Sequence, residues 1–259
     1  ELSLVVIIVG SNPASNIYVK NKEKKAYEIG IKSKVVRIDS QVSQKELICI
    51  IEEYNKNVDI DGILVQLPLP KHIESKSVID KINPLKDVDG FNAVNIGLLA
   101  LGRPNVIPCT PLGCLKLIES CQIIEGKDAI IIGRSNIVGK PLSYLLTNKN
   151  VTVTLAHSKT KNIALKISTY DIVIAAVGVP NLVKGSWVKE NAIVIDVGIN
   201  AIIGSDGKRK LLGDVDYDSF KEKAGYLTPV PGGVGPMTIH CLLSNTFDLA
   251  LKRRNINIK

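Results

Sequence analysis

Two hydrophobic rhythms alternate along this chain. Short apolar runs fall at Leu4–Val9, Lys34–Ile38 and Gly62–Gln66, and again at Ala129–Ile132, Val151–Leu155, Asp171–Ala176 and Ile193–Val197. Runs of this length that are apolar on both sides predict strands buried on both faces, as in a parallel sheet. Segments of helical period lie between them, from about Pro13 to Ile29 and from Ser43 to Tyr54, with a last one at Met237–Leu251. Pro13 suits a first helical position, because its missing N–H would have no intrahelical partner there. The order strand, helix, strand predicts an α/β fold made of two three-layer domains, each a mostly parallel sheet covered on both faces. Asn83–Gly90 reads as loop. Pro108-Cys-Thr-Pro-Leu-Gly113 reads as a boundary, with Thr110 as N-cap and Pro111 in the first turn of a new helix. The expected domains are residues 1–112 plus 239–259, and residues 113–238, with the C-terminal helix returning to the first. The chain opens almost directly on a central strand, which predicts a segment ahead of residue 1.

Composition narrows the class without changing the layout. At 259 residues, 45% hydrophobic and 22% charged, the chain has the makeup of an ordinary globular protein. Five scattered cysteines form no CxxC pair, and no histidine stands at ligand spacing from them, so reduced cytoplasmic thiols are expected and a metal site is not. No apolar run approaches the length of a membrane span, and no signal peptide is visible. The net charge of +8 raises the question of nucleic acid, but the lysines are dispersed and aromatics make up only 4%. A diffuse positive field instead helps an anionic small molecule find its site.

Two glycine-rich stretches carry the first chemistry. Thr228-Pro-Val-Pro-Gly-Gly-Val-Gly-Pro-Met-Thr238 cannot be helix interior or central strand, and its bare, stiff backbone suits a flat ligand. A rigid inter-domain connector is the competing reading. Gly133-Arg-Ser-Asn-Ile-Val-Gly139 follows the apolar run Ala129–Ile132, so a phosphate-binding turn of a Rossmann-like domain is expected. The middle glycine of the usual GxGxxG pattern is replaced by Ser135, which offers a hydroxyl instead. The competing reading is a tight strand-to-helix turn that binds nothing. An NAD site places an acid about 20 positions on, to grip the ribose hydroxyls. Here the next strand ends in Ala156-His-Ser-Lys159 with no acid, while Arg134, Ser158 and His157 suit a 2′-phosphate. NADP is therefore expected over NAD.

The first helix carries a lysine where an apolar residue is due. Tyr18, Lys22, Ala26 and Ile29 fall on one stripe, joined by Ser15 and Val19, and that stripe should face the sheet. A lysine there either snorkels to solvent or sits partly out of water, where an ammonium gives up its proton more readily and becomes a proton carrier. Gln66 ends an apolar strand and is equally readable as a satisfied strand-end amide. Asp87-Val-Asp-Gly90 sets two acids beside a glycine turn, as a binding pair or as an Asx-turn. Further oxygen ligands do not follow at calcium-loop spacing.

Seven separated stretches together resemble the bifunctional methylenetetrahydrofolate dehydrogenase/cyclohydrolase family over nearly the whole chain. They are Asn12-Pro-Ala-Ser-Asn-Ile-Tyr-Val-Lys-Asn-Lys22, Asp61-Gly-Ile-Leu-Val-Gln-Leu-Pro-Leu-Pro70, Lys86-Asp-Val-Asp-Gly90, Pro108-Cys-Thr-Pro111, Gly133–Gly139, Asp196-Val-Gly-Ile-Asn200 and Thr228–Thr238. The resemblance implies oxidation of 5,10-methylenetetrahydrofolate by NADP, followed by hydrolysis of the methenyl product to 10-formyltetrahydrofolate. It implies Lys22 as the proton-transfer residue of hydrolysis, Gln66 as its tuning partner and Tyr18 stacking near the pterin. It further implies Asp89 on the pterin amino edge, with Val65, Leu67, Pro231, Gly232 and Gly233 around the folate. Gly133, Arg134, Ser135, Ser158 and Ile199 fall on its cofactor positions, and a homodimer is expected. The sequence departs from the family at His240, where relatives carry a small residue, and at Asn92, where some carry histidine. The alternatives are a dehydrogenase-only relative, against which Tyr18, Lys22 and Gln66 together argue, and a regulatory nucleotide-binding module, which has no use for a lysine on a buried stripe.

Overall fold

The computed structural model describes residues 1–203, 207, 209–220 and 225–256. The chain divides into two compact units, Glu1–Cys109 with Ile239–Lys259, and Thr110–Thr238. Residues 257–259, the end of the first expected domain, lie outside the described residues.

The first unit runs β1 (Leu2–Val9), α1 (Pro13–Glu28), β2 (Ile31–Ile38), α2 (Gln44–Lys56), β3 (Gly62–Val65), α3 (Ser75–Ile79) and α4 (Ala93–Ala100). β1 lies between β2 and β3 and is parallel to both, with Leu2 opposite Ile31 and Leu4 opposite Gly62. Leu4 to Val9 are all buried, as an unbroken apolar run demands. Val5, Ile7 and Val9 on one face meet Leu47 and Ile51 of α2 and Val78 of α3. Local signals start both long helices. Asn12 caps α1 by accepting from Ser15 N at 3.1 Å with Pro13 next, and Ser43 forms a capping box with Glu46 ahead of α2. β2 begins three residues earlier than its apolar run suggests. It is the sheet edge, where Lys32 and Lys34 are tolerated because one side meets water.

The second unit runs α5 (Cys109–Cys121, its first residue still in the first unit), β4 (Asp128–Ile132), α6 (Gly139–Thr147), β5 (Thr152–Ala156), α7 (Ile163–Ile167), β6 (Ile172–Ala175), β7 (Ile193–Asp196), β8 (Asn200–Ile203), β9 (Arg209–Leu212) and β10 (Tyr226–Leu227). Its parallel sheet has the order β10-β7-β6-β4-β5, the doubly wound arrangement in which strands leave β4 in both directions. β8 and β9 form a separate antiparallel hairpin that the sequence reading did not foresee, being short and half polar.

Two expected boundaries are corrected. Thr110 is not the N-cap of α5, because the helix already includes Cys109, and its hydroxyl pairs with Thr238 Oγ1 at 3.1 Å. Proline fits any first-turn position, since no first-turn N–H has an intrahelical partner, so Pro111 did not fix the start. For the same reason the last helix, α8 (Val234–Arg253), begins three residues early and takes Pro236 into its first turn.

The later part of α8 belongs to the first unit and is tied to it by buried polar contacts. Asn245 Nδ2 donates to Val88 O at 2.9 Å and to Ile107 O at 2.8 Å. Asp61, fully buried at the head of β3, accepts from Arg253 at 2.5 Å, from Arg254 at 2.6 Å and from Ser3 N at 3.0 Å. Burial pushes its carboxyl up, but the Arg254 and Arg253 hydrogen bonds outweigh that and hold it below the usual range. Removing one partner of a buried ion pair leaves the other charge uncompensated, so Asp61→Asn should cost ~3 kcal/mol. A melting curve should show a Tm lower by roughly 6–12 °C. A change below about 2 °C would mean that apolar packing alone holds α8.

Candidate active site and cofactor edge

Among the described side chains of α1 the buried ones are Ser15, Val19, Lys22 and Ala26. Ile29 does not continue the stripe: it is the C-cap residue, past the last turn, and is 61% exposed. Lys22 is only 7% exposed, so its head does not escape to water. Its Nζ donates to Gln66 Oε1 at 3.1 Å, while Gln66 Nε2 donates to Leu67 O at 2.8 Å. The glutamine amide is thus oriented by its own loop, with the oxygen turned to the lysine. Gln66 N continues the β1–β3 ladder by donating to Ile7 O at 2.8 Å, and Ser15 Oγ reaches Leu67 O at 3.5 Å. Tyr18 is half-buried, and desolvation raises its hydroxyl above the ordinary tyrosine value, so the ring is a neutral surface. Leu67, half-buried, is followed by a cis peptide to Pro68. Val65 is packed in the core with Ile7 and Ile51.

The Lys86–Gly90 segment divides its labour in a way the sequence left open. Lys86 Nζ donates to the carbonyls of Tyr54, Asn55 and Asn57 at 2.7–3.0 Å, which caps the C-terminal end of α2. Asp87 is the turn-forming acid: it accepts from Gly90 N at 3.1 Å, Asn92 N at 2.8 Å and Asn95 Nδ2 at 3.0 Å. Asn92, one of the departures noted above, is a structural cap of α4, accepting from Val94 N at 2.9 Å. A parallel bridge between Ile63 and Asp87 runs this segment alongside β3, which brings Asp89 level with Val65 at the strand end. Asp89 is half-buried and lines one small recess with Ile63, Leu64, Val65 and Phe91. Burial pushes its carboxyl up, and the nearby Lys22 charge and a hydrogen bond with Cys109 oppose that rise. Lys22, Gln66 and Asp89 therefore meet at the carboxyl end of β3, where α/β sheets receive ligands. Sequence reasoning missed the Cys109 thiol, which donates to Val88 O at 3.2 Å and is pushed far up by burial and by Asp89. Its signals were a place in a turn read as a boundary and in one of the stretches that carry the resemblance, neither of which points to a thiol.

In the second unit the Gly133 turn follows β4. Gly133 has φ +128°, and a Cβ there would overlap Ala176 O. A Cβ on Gly139 would overlap Gly133 O, so the start of α6 crosses the turn at closest approach. Ser135 Oγ accepts from Val138 N at 3.1 Å and Gly139 N at 3.4 Å, which caps α6 and leaves its proton for donation. Ile132 pairs with Ala156, so Arg134 and Ser158, both exposed, each stand two residues beyond that register pair on neighbouring strands. His157 is turned inward on its own loop, its Nδ1 accepting from Lys159 N at 3.2 Å. Ile199, 43% exposed, follows β7. Pro231, after a cis peptide, and Gly232 are exposed, while Gly233 is buried and donates to Pro229 O at 2.9 Å. His240 is exposed. Among the described residues, no group of three or more His, Cys, Asp or Glu side chains is placed to hold a metal ion, and no helix is long and apolar enough to cross a membrane.

Among the described residues, burial pushes up two further carboxyls besides Asp89. Desolvation pushes Asp87 and Asp196 each up to about 6. An acid raised on folding gives stability that is complete below its unfolded pKa and is lost as pH rises through its folded pKa. Asp61 and Asp171 are held low and lose their contribution only below the ordinary carboxylate value. Between pH 7.5 and 5, Tm should therefore rise, by roughly 5 °C. Calorimetry across that range checks it, and a flat or falling Tm would contradict the assignment.

Residues 1–89 match the model of the tetrahydrofolate dehydrogenase/cyclohydrolase catalytic domain, and residues 108–254 that of the NAD(P)-binding domain of the same family. The bifunctional protein FolD of Streptococcus uberis is 53% identical over 251 residues, covering 96% of this chain and 87% of that protein. The structure of the bifunctional FolD dehydrogenase/cyclohydrolase of Campylobacter jejuni superposes with a TM-score of 0.93 at 48% identity, over 98% of this chain and 89% of the other. That of Trypanosoma brucei FolD, complexed with NADP cofactor and inhibitor, gives 0.93 at 38% identity, over 100% and 89%. With both halves matched and these geometries in place, the chain belongs to the tetrahydrofolate dehydrogenase/cyclohydrolase family.

Proposed function

We propose that this chain oxidises 5,10-methylenetetrahydrofolate with NADP and hydrolyses the methenyl product to 10-formyltetrahydrofolate, a step of one-carbon metabolism. The observation that carries this reading is the buried lysine at 3.1 Å from an oriented glutamine oxygen, with Asp89 beside it. The same family produces proteins named as bifunctional, and one relative is described with NADP bound.

The cofactor edge fits a dinucleotide on its own geometry: a turn bare of Cβ atoms at Gly133 and Gly139, a capped helix start, and an exposed cation and hydroxyl just past the ends of adjacent strands. Gly133 and Ser135 would hold the pyrophosphate, Arg134 and Ser158 the 2′-phosphate, and Ile199 the nicotinamide side. When bound, NADP supplies the acceptor for the hydride. Hydride transfer asks of the chain mainly position. Asp89 accepts two parallel hydrogen bonds from the pterin amino edge, Tyr18 offers a neutral face, and Val65 and Leu67 lend backbone groups. Pro231, Gly232 and Gly233 supply a stiff, bare loop for the folate.

Hydrolysis asks for proton transfer. In its neutral form the Lys22 amine takes a proton from the water that attacks the methenyl carbon. As the ammonium it gives a proton to N5 when the carbon–N5 bond breaks, and the hydroxyl proton of the adduct leaves to solvent. Gln66 accepts one lysine N–H and so fixes where the remaining ones point.

The direct test supplies methylenetetrahydrofolate and NADP to the purified protein and follows NADPH. Loss of added methenyltetrahydrofolate is followed separately without cofactor. Absence of both activities in folded protein would overturn the reading. The 2′-phosphate assignment has its own check: Arg134→Ala should raise KM for NADP by ~10-fold or more, through loss of a charged hydrogen bond, and leave KM for NAD nearly unchanged. Equal losses for both cofactors would remove it. A cytoplasmic homodimer completes the proposal, supported by five free cysteines and by Ile203 and Leu211 exposed on the β8–β9 hairpin. Sedimentation decides the oligomeric state.

A further inference from the structure

We propose that Asp214 is a positioning residue that sets, from beneath, the two loops receiving the nicotinamide half of the cofactor. The inference rests on the cofactor reading above. β5 lies on one side of β4 and β6, β7 and β10 on the other, so a dinucleotide astride this switch point puts its adenosine half over β5. The nicotinamide half then falls to the loops after β6 and β7.

Both loops hang on one fully buried carboxylate. Asp214 Oδ2 accepts from Val177 N at 2.6 Å and Gly178 N at 2.9 Å, directly after β6. Asp214 Oδ1 accepts from Asn200 Nδ2 at 2.9 Å, one residue past Ile199. Asp214 is itself fixed by Asp196 at the end of β7. Asp196 Oδ1 accepts from Asp214 N at 2.9 Å and Gly198 N at 3.0 Å, and Oδ2 accepts from Val215 N at 3.0 Å. Asp196 N in turn donates to Thr228 Oγ1 at 2.8 Å, at the start of the proline-glycine loop. The approach is so close that a Cβ on Gly198 would overlap Asp214 Oδ1, and one on Gly213 would overlap Asp196 Oδ2. Seating two carboxylates side by side in a dry interior is costly, and backbone turns close elsewhere in this unit without it. What the arrangement uniquely does is lock three strand-end loops to one another at the edge where a cofactor would lie.

The test measures binding of NADPH and of 2′,5′-ADP, which carries only the adenosine half, to the whole chain. Wild type should bind both. Asp214→Ala should weaken NADPH by ~10-fold or more and 2′,5′-ADP by less than about 2-fold, through the charged hydrogen bonds lost at the loops. Cofactor-free hydrolysis of methenyltetrahydrofolate should stay near wild type. Asn200→Ala, which cuts only the second loop and leaves the carboxylate in place, should show the same split at ~5-fold, and decides the matter if Asp214→Ala does not fold. Equal weakening of both ligands would mean general damage to the unit, and unchanged NADPH binding would mean the clamp positions nothing; either overturns the proposal. If wild type binds neither ligand, the cofactor reading itself falls with it.

Discussion

Lys22→Met should lower methenyltetrahydrofolate hydrolysis by ~10²–10⁴-fold, the usual worth of a positioned acid–base group. Methionine keeps the length and the buried stem and removes only the amine. Gln66 Oε1 then loses its 3.1 Å donor, but its amide stays anchored to Leu67 O, so the strand end keeps its shape. Hydride transfer requires no proton from Lys22 and should fall much less, mainly through altered folate placement. Each step is assayed separately in purified variant, after circular dichroism has shown native structure. Hydrolysis near wild type with a collapsed dehydrogenase would make Lys22 a positioning residue and would overturn the proton-transfer assignment.

Asp89→Asn should raise KM for folate substrates by ~10²-fold in both activities, with kcat at saturation changed much less. An amide keeps the shape but presents one oxygen where the pterin edge offers two N–H groups, and it removes the charge. Because burial pushes the Asp89 carboxyl up, folate affinity should also weaken as pH falls, starting above the range of an exposed aspartate. Affinity is present in the ionised form and is lost as pH drops through that raised pKa. Either activity unchanged at subsaturating folate would refute the anchoring role.

The site is carried by few residues, and they differed in how visible they were. Lys22 announced itself because a charge broke an apolar stripe at helical spacing. The Gly133 turn was visible because a strand, two glycines and a following proline stood in order. Spacing left Asp87 and Asp89 alike and the resemblance alone singled out Asp89; the course of the chain beside β3 then makes Asp87 the turn former. Ile29 was misplaced because periodicity has no end marker, and the helix stops one residue short of it. Asp214 gave no signal and Asn200 only as the end of a quoted motif; fourteen residues apart, they meet only when the chain folds back.

The order of apolar runs and helical segments by itself determined the α/β class, the division into two units and the approximate place of each long element. Local chemistry determined the helix starts at Asn12 and Ser43, because caps act within a single turn. Tertiary structure alone decided what depends on approach in space. It brought Lys22 to Gln66 across forty-four residues and Asp61 to Arg253 and Arg254 across more than one hundred and ninety. It also chose which buried acid closes a turn on backbone donors. A side chain's type is written locally, but its partner, its desolvation and hence its chemistry are set by chain segments that meet only on folding.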